Sequence, residues 1–264
     1  MRRLPGALIR ALLVALVIAA PSLLIPGASA SAREVSAIIG LIAGAFVMFE
    51  YGAPNPGLVD FRFAPPYNRA RFAVFSAALL LLTFYARALA GVDSFSPELA
   101  RLALRLGALL DFPLSPVRLA VELLADPAAP RQAEALRGAA ALGFLTGVIG
   151  AAFFGALLWI FPWPMERETF NLWFNMPTLE TAYGRDLERR LLRLSVLVTL
   201  AGLAAPYLML IVASKAGGLL DPAALREPLA LVWAAALWGA APPLTVLRGA
   251  IILKIALLVR RARE

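Results

Sequence analysis

The sequence predicts an all-α, polytopic integral membrane protein with about six transmembrane helices, and three observations carry that prediction. Of 264 residues, 61% are hydrophobic and 16% charged, with a mean hydropathy of +0.79; soluble domains have about 45–50% apolar and about 25% charged residues. Apolar runs long enough to cross a bilayer recur along the chain. Basic residues fall unevenly on the connections between those runs. Residues 1–264 read as a single transmembrane helical domain, because spans of about 20 residues plus loops use up the length and no shift in composition marks a second unit.

The first span covers about 7–25, after Met1-Arg-Arg. The stretch Ala28-Ser-Ala-Ser-Ala32 fits a signal-peptidase site, so a cleaved leader and a retained first helix are both readings. The length of the apolar run 11–25 and the spans that follow favour retention. The second span covers about 35–51. Its strictly apolar part, residues 35–49, would reach only about 22 Å against a hydrocarbon core of about 30 Å. It must therefore run past Glu50 and Tyr51 or begin within the Ser/Ala linker. Gly40 and Gly44 form a small-xxx-small pair on which another helix can pack.

The third span covers about 72–92, with Arg87 near its far end as a snorkelling or a buried functional arginine. Between about 96 and 125 the pattern changes to one or two amphipathic helices. Leu99, Leu102, Leu106 and Leu109 form one face opposite Glu98, Arg101 and Arg105. Ser115-Pro116 offers a fresh start with Pro at N1, and Arg118 and Glu122 are placed as an i,i+4 pair. These pieces are expected to lie on the membrane surface or to pack as a flap on the bundle.

The fourth span covers about 138–160, where Gly143 and Gly147 repeat the GxxxG spacing. The Gly40/Gly44 face is one possible partner, but spacing does not select it. Trp159, Trp163 and Trp173 mark an interfacial exit. Residues 179–193 read as a charged helix feeding the fifth span, about 194–213, which Pro206 is expected to kink. The final apolar run, residues 229–259, is about 46 Å if straight. It is expected to span over about 229–247, bend at Pro242-Pro243, and leave along the inner surface through Arg248, Gly249 and Lys254.

Six spans with both termini inside put 16 of the 25 basic residues and eight acids on the terminal side, a net +8; the other side has nine of each. This is a positive-inside arrangement, with both ends cytoplasmic. Arginine outnumbers lysine 23 to 2, a codon bias that suggests a bacterial cytoplasmic (inner) membrane. The same scatter of charge between apolar runs argues against nucleic acid as a partner. The chain has no cysteine and no histidine, which removes thiol chemistry, imidazole ligation of haem, pigments or zinc, and any histidine base. No cofactor and no metal site is expected, and no Walker loop, GxSxG, HExxH or Asp-rich lipid-diphosphate motif is present.

Chemistry concentrates in residues 50–72, the one long polar and aromatic passage between two apolar runs in the first half. Its 23 residues hold four prolines, two glycines, three arginines, five aromatics and two carboxylates. The candidate residues for binding a lipid headgroup or a partner are Glu50, Asp60, Arg62, Asn68, Arg69 and Arg71. Glu50 within the bilayer would relay protons, bind a cation or pair with an arginine of the 62–71 cluster; at an interface it would be a helix-end carboxylate held by Arg69 or Arg71. The arginines would hold lipid phosphate, or the loop would be an ordinary positive-inside connection. Three functions remain open: a non-catalytic accessory or assembly subunit of a larger membrane complex, a transporter or flippase of a lipid or small amphiphile, and an enzyme acting on a lipid at the cytoplasmic surface. Membrane lipid, and other integral membrane proteins, are the expected partners.

Overall fold

The computed structural model describes residues 4–54, 57–62, 66–92, 96–126, 128–161, 163, 176, 187–215 and 222–261. These residues are 86% helical and contain no strand. In chain order the helices are α1 (Leu4–Leu24), α2 (Ala30–Gly52), α3 (Tyr67–Leu89), α4 (Ser96–Leu109), α5 (Pro116–Leu124), α6 (Pro130–Ile160), α7 (Leu187–Lys215) and α8 (Pro228–Arg261), with a 3-10 turn at Pro222–Arg226. Six of them, α1, α2, α3, α6, α7 and α8, are long and apolar enough to cross a membrane.

Local chemistry sets several boundaries. The Ser29 hydroxyl accepts the Ala32 N–H at 3.1 Å and caps α2, so the Ser/Ala linker begins the helix. With Gly52 at the other end, α2 has 23 residues, or about 34 Å. The extension expected at one end occurs at both. Ser115 caps α5 by accepting from Val117 N, with Pro116 in the first turn. Pro130 opens α6, well before the expected start at 138, and Tyr67 opens α3 before the expected 72. Arg87 donates to the Leu24 carbonyl, closing the open end of α1.

Helix α7 runs through Pro206 and α8 through Pro242-Pro243 without a break. Both sites lie where α7 and α8 pack on each other, and the Pro206 carbonyl accepts the Trp238 indole N–H at 2.9 Å. Beyond Arg248, α8 stays buried: Ile251, Ile252, Ile255 and Ala256 pack with Leu191, Phe61 and Tyr67. The expected charged helix at 179–193 is, from Leu187 onward, the first turns of α7; residues 177–186, like Trp173, lie outside the described residues.

Helices α4 and α5 both pack on the bundle. Val117 and Ala120 of α5 meet Ala140, Ala141, Leu210 and Trp238. In α4 the inward face is Leu99, Ala103 and Leu106, while Leu102 and Leu109 point away. The expected four-leucine face is therefore rotated, because Ala103 is small enough to sit beside Gly138 and the Tyr85 ring.

Helix α8 is the spine of the molecule, packed against α7, α6 and α3. Its seams are built from small residues. A Cβ on Gly143 would lie 2.5 Å from the Ala235 carbonyl oxygen, and one on Gly147 would strike the Gly239 carbonyl. A Cβ on Gly202 of α7 would lie 2.7 Å from Val246 N. Gly40 and Gly44 serve a different seam, against Ala15 and Ala11 of α1, with Cβ-to-carbonyl approaches of 2.9 and 3.0 Å. The α1–α2 hairpin is tied to the rest chiefly through α3, and α1 reaches α8 at only a few positions. A cleft is left between hairpin and spine.

Gly147→Ala should destabilise the protein by about 1–3 kcal/mol, because its Cβ meets backbone that has no room to move. Gly52→Ala, whose Cβ would rest 3.6 Å from a Leu4 methyl, should be neutral. Thermal unfolding in detergent compares them; equal transitions would mean that α6 and α8 do not touch at Gly147.

Candidate functional site

Residues 57–62 fold back onto the end of α2 in a reciprocal exchange of hydrogen bonds. Glu50, in the last turn of α2 and 3% exposed, accepts with its Oε1 from the N–H groups of Gly57 at 2.8 Å, Leu58 at 3.1 Å and Val59 at 3.2 Å. Arg62 reaches the other way. Its Nη1 donates to the Glu50 carbonyl, and its Nη2 to the carbonyls of Ala53 at 2.8 Å and Pro54 at 3.3 Å. The carboxylate satisfies amides of the loop, and the guanidinium satisfies carbonyls that a helix C-terminus leaves open. A negative group at a helix C-terminus is unfavourable, and Arg62 is the nearby charge that offsets it. Glu50 is thus held by loop amides beside Arg62, a member of the expected 62–71 arginine cluster, and the described contacts of its carboxylate do not include Arg69 or Arg71.

The chain then turns at Phe61, whose φ of 57° is left-handed and costs a bulky residue about 1–3 kcal/mol. Aromatic packing offsets the strain. The Phe61 ring is buried against Tyr67 at 4.9 Å, edge to face, and against Trp163 at 5.5 Å. This turn directs Arg62 back to α2 and Asp60 toward α8. Asp60 accepts from Arg248 Nη2 at 2.5 Å, and Asn68 Nδ2 donates to the Asp60 carbonyl at 2.8 Å. Loop, α3 and α8 are locked together around one point.

Beside that point opens a cleft of about 1000 Å³ between the α1–α2 hairpin, α3, α7 and α8. Four arginines line it: Arg10 of α1, Arg69 and Arg71 of α3, and Arg248 of α8. Four guanidiniums against the one carboxylate of Asp60 leave +3 at the polar end. Deeper in, the lining is apolar, with Leu13 and Val14 of α1, Phe75 of α3, Val198 of α7, and Leu237 and Leu244 of α8. Along α8 the lining runs from Arg248 to Leu237, about 16 Å of helix and about half of the hydrocarbon core. Arg10 lies over the Tyr51 ring at 5.0 Å and Arg71 over the Tyr67 ring at 5.4 Å.

Of the six expected site residues, the structure brings Asn68, Arg69 and Arg71 to the cleft. Glu50, Asp60 and Arg62 stand behind it and hold the loop. Arg10, Tyr51, Tyr67 and Arg248 were not among the expected residues, yet they complete the site. Arg10 and Arg248 carried a signal: each is a charge set inside or at the end of an apolar run, where an ionisable group is costly. Among the described residues no group of acidic side chains is placed to hold a metal ion. Compared with family models, curated proteins and solved structures, the chain finds no match.

Glu50→Ala removes the acceptor of three amides, and an unsatisfied buried amide costs about 1–3 kcal/mol. Hydrogen exchange at Gly57, Leu58 and Val59 should accelerate while the α6 amides stay protected. Glu50→Gln, which keeps an acceptor oxygen, should have the smaller effect. Unchanged protection in Glu50→Ala would mean that something else holds the loop.

Proposed function

We propose that this chain is a non-catalytic, multi-pass protein of the bacterial cytoplasmic membrane, with both termini cytoplasmic, that seats an anionic lipid of the inner leaflet in the cleft between α1–α2 and α7–α8. The observation that carries the reading is the shape of charge in that cleft: four arginines at one end and apolar side chains along the rest. Such a cavity fits an amphiphile whose head is negative and whose chains lie parallel to the helices. Its depth, about one leaflet, suits a lipid resting in its own leaflet.

The membrane setting is supported by what the surface exposes. Leu197, Leu200, Leu203, Leu208 and Val212 of α7 all face outward, a continuous apolar strip that water would not tolerate. The cytoplasmic assignment rests on the excess of basic residues at the end of the bundle where the arginine cluster lies. The amphipathic α4 and α5 would then sit at the opposite interface. There Phe112 and Leu114 are exposed, and Tyr207 of α7 holds the turn by donating to the Leu114 carbonyl at 3.0 Å.

The accessory role is favoured over the two alternatives by specific observations. Transport through broken helices loses its premise, since α7 and α8 are continuous at their prolines. Acid–base chemistry on a lipid would need a free carboxylate, whereas Glu50 and Asp60 are both engaged in holding the loop.

Purification in a mild neutral detergent followed by native mass spectrometry should find one anionic lipid retained per chain. The triple variant Arg10→Gln, Arg69→Gln, Arg71→Gln should fold and lose it. Retained lipid in the proportions of the bulk membrane would overturn the proposal. Reporter fusions should place both ends of the chain in the cytoplasm; an external reading at either end would reverse the leaflet assignment.

A further inference from the structure

The arginine end of the cleft holds a feature that lipid binding in general does not require. Tyr67 is 1% exposed, lines the cleft, and has a hydroxyl with no hydrogen-bond partner among the described residues. A buried hydroxyl without a partner is destabilising and calls for an explanation. Its surroundings supply one. Arg71 lies over its ring, and the charges of Arg71, Arg248 and Asp60 all bear on the hydroxyl. Arg248 gives one hydrogen bond to Asp60 and keeps a buried Nε with no partner. Among the described residues, α3 and α8 thus each bring a buried donor without a partner to the positively charged end of the cleft.

Resting on the lipid-seat reading above, we infer that the head recognised here is a phosphomonoester, seated on Arg71, Arg248 and the Tyr67 hydroxyl, and carried by a lipid whose chains fill the apolar part of the cleft. A terminal phosphate presents three free oxygens and close to two negative charges, enough to engage Arg71, Arg248 and the Tyr67 hydroxyl together and to offset most of a rim of +3. A phosphodiester head has one charge and two free oxygens, so it leaves donors unpaired. A choline head is disfavoured for a separate reason. The two tyrosine rings that could form an aromatic seat for a quaternary ammonium, Tyr51 and Tyr67, already carry Arg10 and Arg71 over their faces. Asp60 holds Arg248 in place, and a small shift of the Tyr67 and Arg248 side chains would open their buried donors to the head.

The test uses the full chain in neutral detergent micelles, titrated with dioleoyl phosphatidate, dioleoyl phosphatidylglycerol and dioleoyl phosphatidylcholine, which share the same chains. Binding is read by native mass spectrometry, with inorganic phosphate as competitor. Phosphatidate should bind about tenfold more tightly than phosphatidylglycerol, with phosphatidylcholine weakest. Tyr67→Phe removes a hydroxyl that has no partner, so its thermal stability should equal or exceed the parent's, while most of the phosphatidate preference disappears. Equal affinity for phosphatidate and phosphatidylglycerol overturns the phosphomonoester assignment and leaves an anionic-lipid seat standing. If neither anionic lipid binds better than phosphatidylcholine, both fail. Displacement of phosphatidate by an equal concentration of inorganic phosphate would make the ligand free phosphate. A Tyr67→Phe protein that folds and keeps the full preference would remove the hydroxyl from the seat.

Discussion

The architecture of the charged end depends on the exchange between Glu50 and Arg62 across the end of α2. A chain leaving a transmembrane helix must find partners for the last carbonyls of that helix and for the amides of the turn that follows, and near a bilayer it has little water to use. Here one carboxylate takes three amides and one guanidinium takes three carbonyls. Neither charge is left over, so the pair contributes order and almost no net field. Asp60, Phe61 and Asn68 inherit their positions from that fixed segment. Through Asp60 the loop also fixes Arg248, on a helix far away in sequence.

A second constraint decides where space is left. In lipid, helices gain nothing from hiding apolar surface, and close packing of small residues takes over as the source of adhesion. Glycines occur where α6 and α7 meet α8, and again where α2 meets α1. Among the described residues none is placed where α1 meets α8, and those two helices barely touch. The molecule is thus two tight bodies joined through α3, and the cleft lies where the adhesive seams stop.

How much of this was legible in the sequence follows from what each feature depends on. The six long apolar helices were legible because hydropathy is a local property, and Ser29, Ser115-Pro116 and the Gly pairs carried local signals of their own. The choice of partners was not: Gly143 and Gly147 meet Ala235 and Gly239, and nothing in the spacing of α6 names α8. The prolines did not end their helices: α7 runs through Pro206 and α8 through Pro242-Pro243, each with a packed neighbour alongside. Within the site, the cluster at 60–71 drew attention as a run of unusual residues. Sequence could not tell which of its charges were used internally. Arg62 is turned back by a left-handed Phe61, while Arg71 is carried on α3 to the cleft; only backbone direction separates them. Arg10 and Arg248 complete the rim from opposite ends of the chain.

The distribution of charge also bears on whether the cleft would hold or pass the proposed lipid. A path across the bilayer has to offer a charged head some compensation at each depth, because an uncompensated charge in hydrocarbon is costly. Here the four arginines are gathered at one end, and below them the lining side chains from Leu13 and Phe75 to Leu237 are apolar. A phosphate bound at the rim would therefore face a steep rise in energy on moving deeper, while its chains would meet the surface they prefer. The rigidity of the rim adds to this, since Arg62 and Asp60 brace it against α2 and α8. For the proposed lipid, a polar end above an apolar body would therefore favour residence over passage.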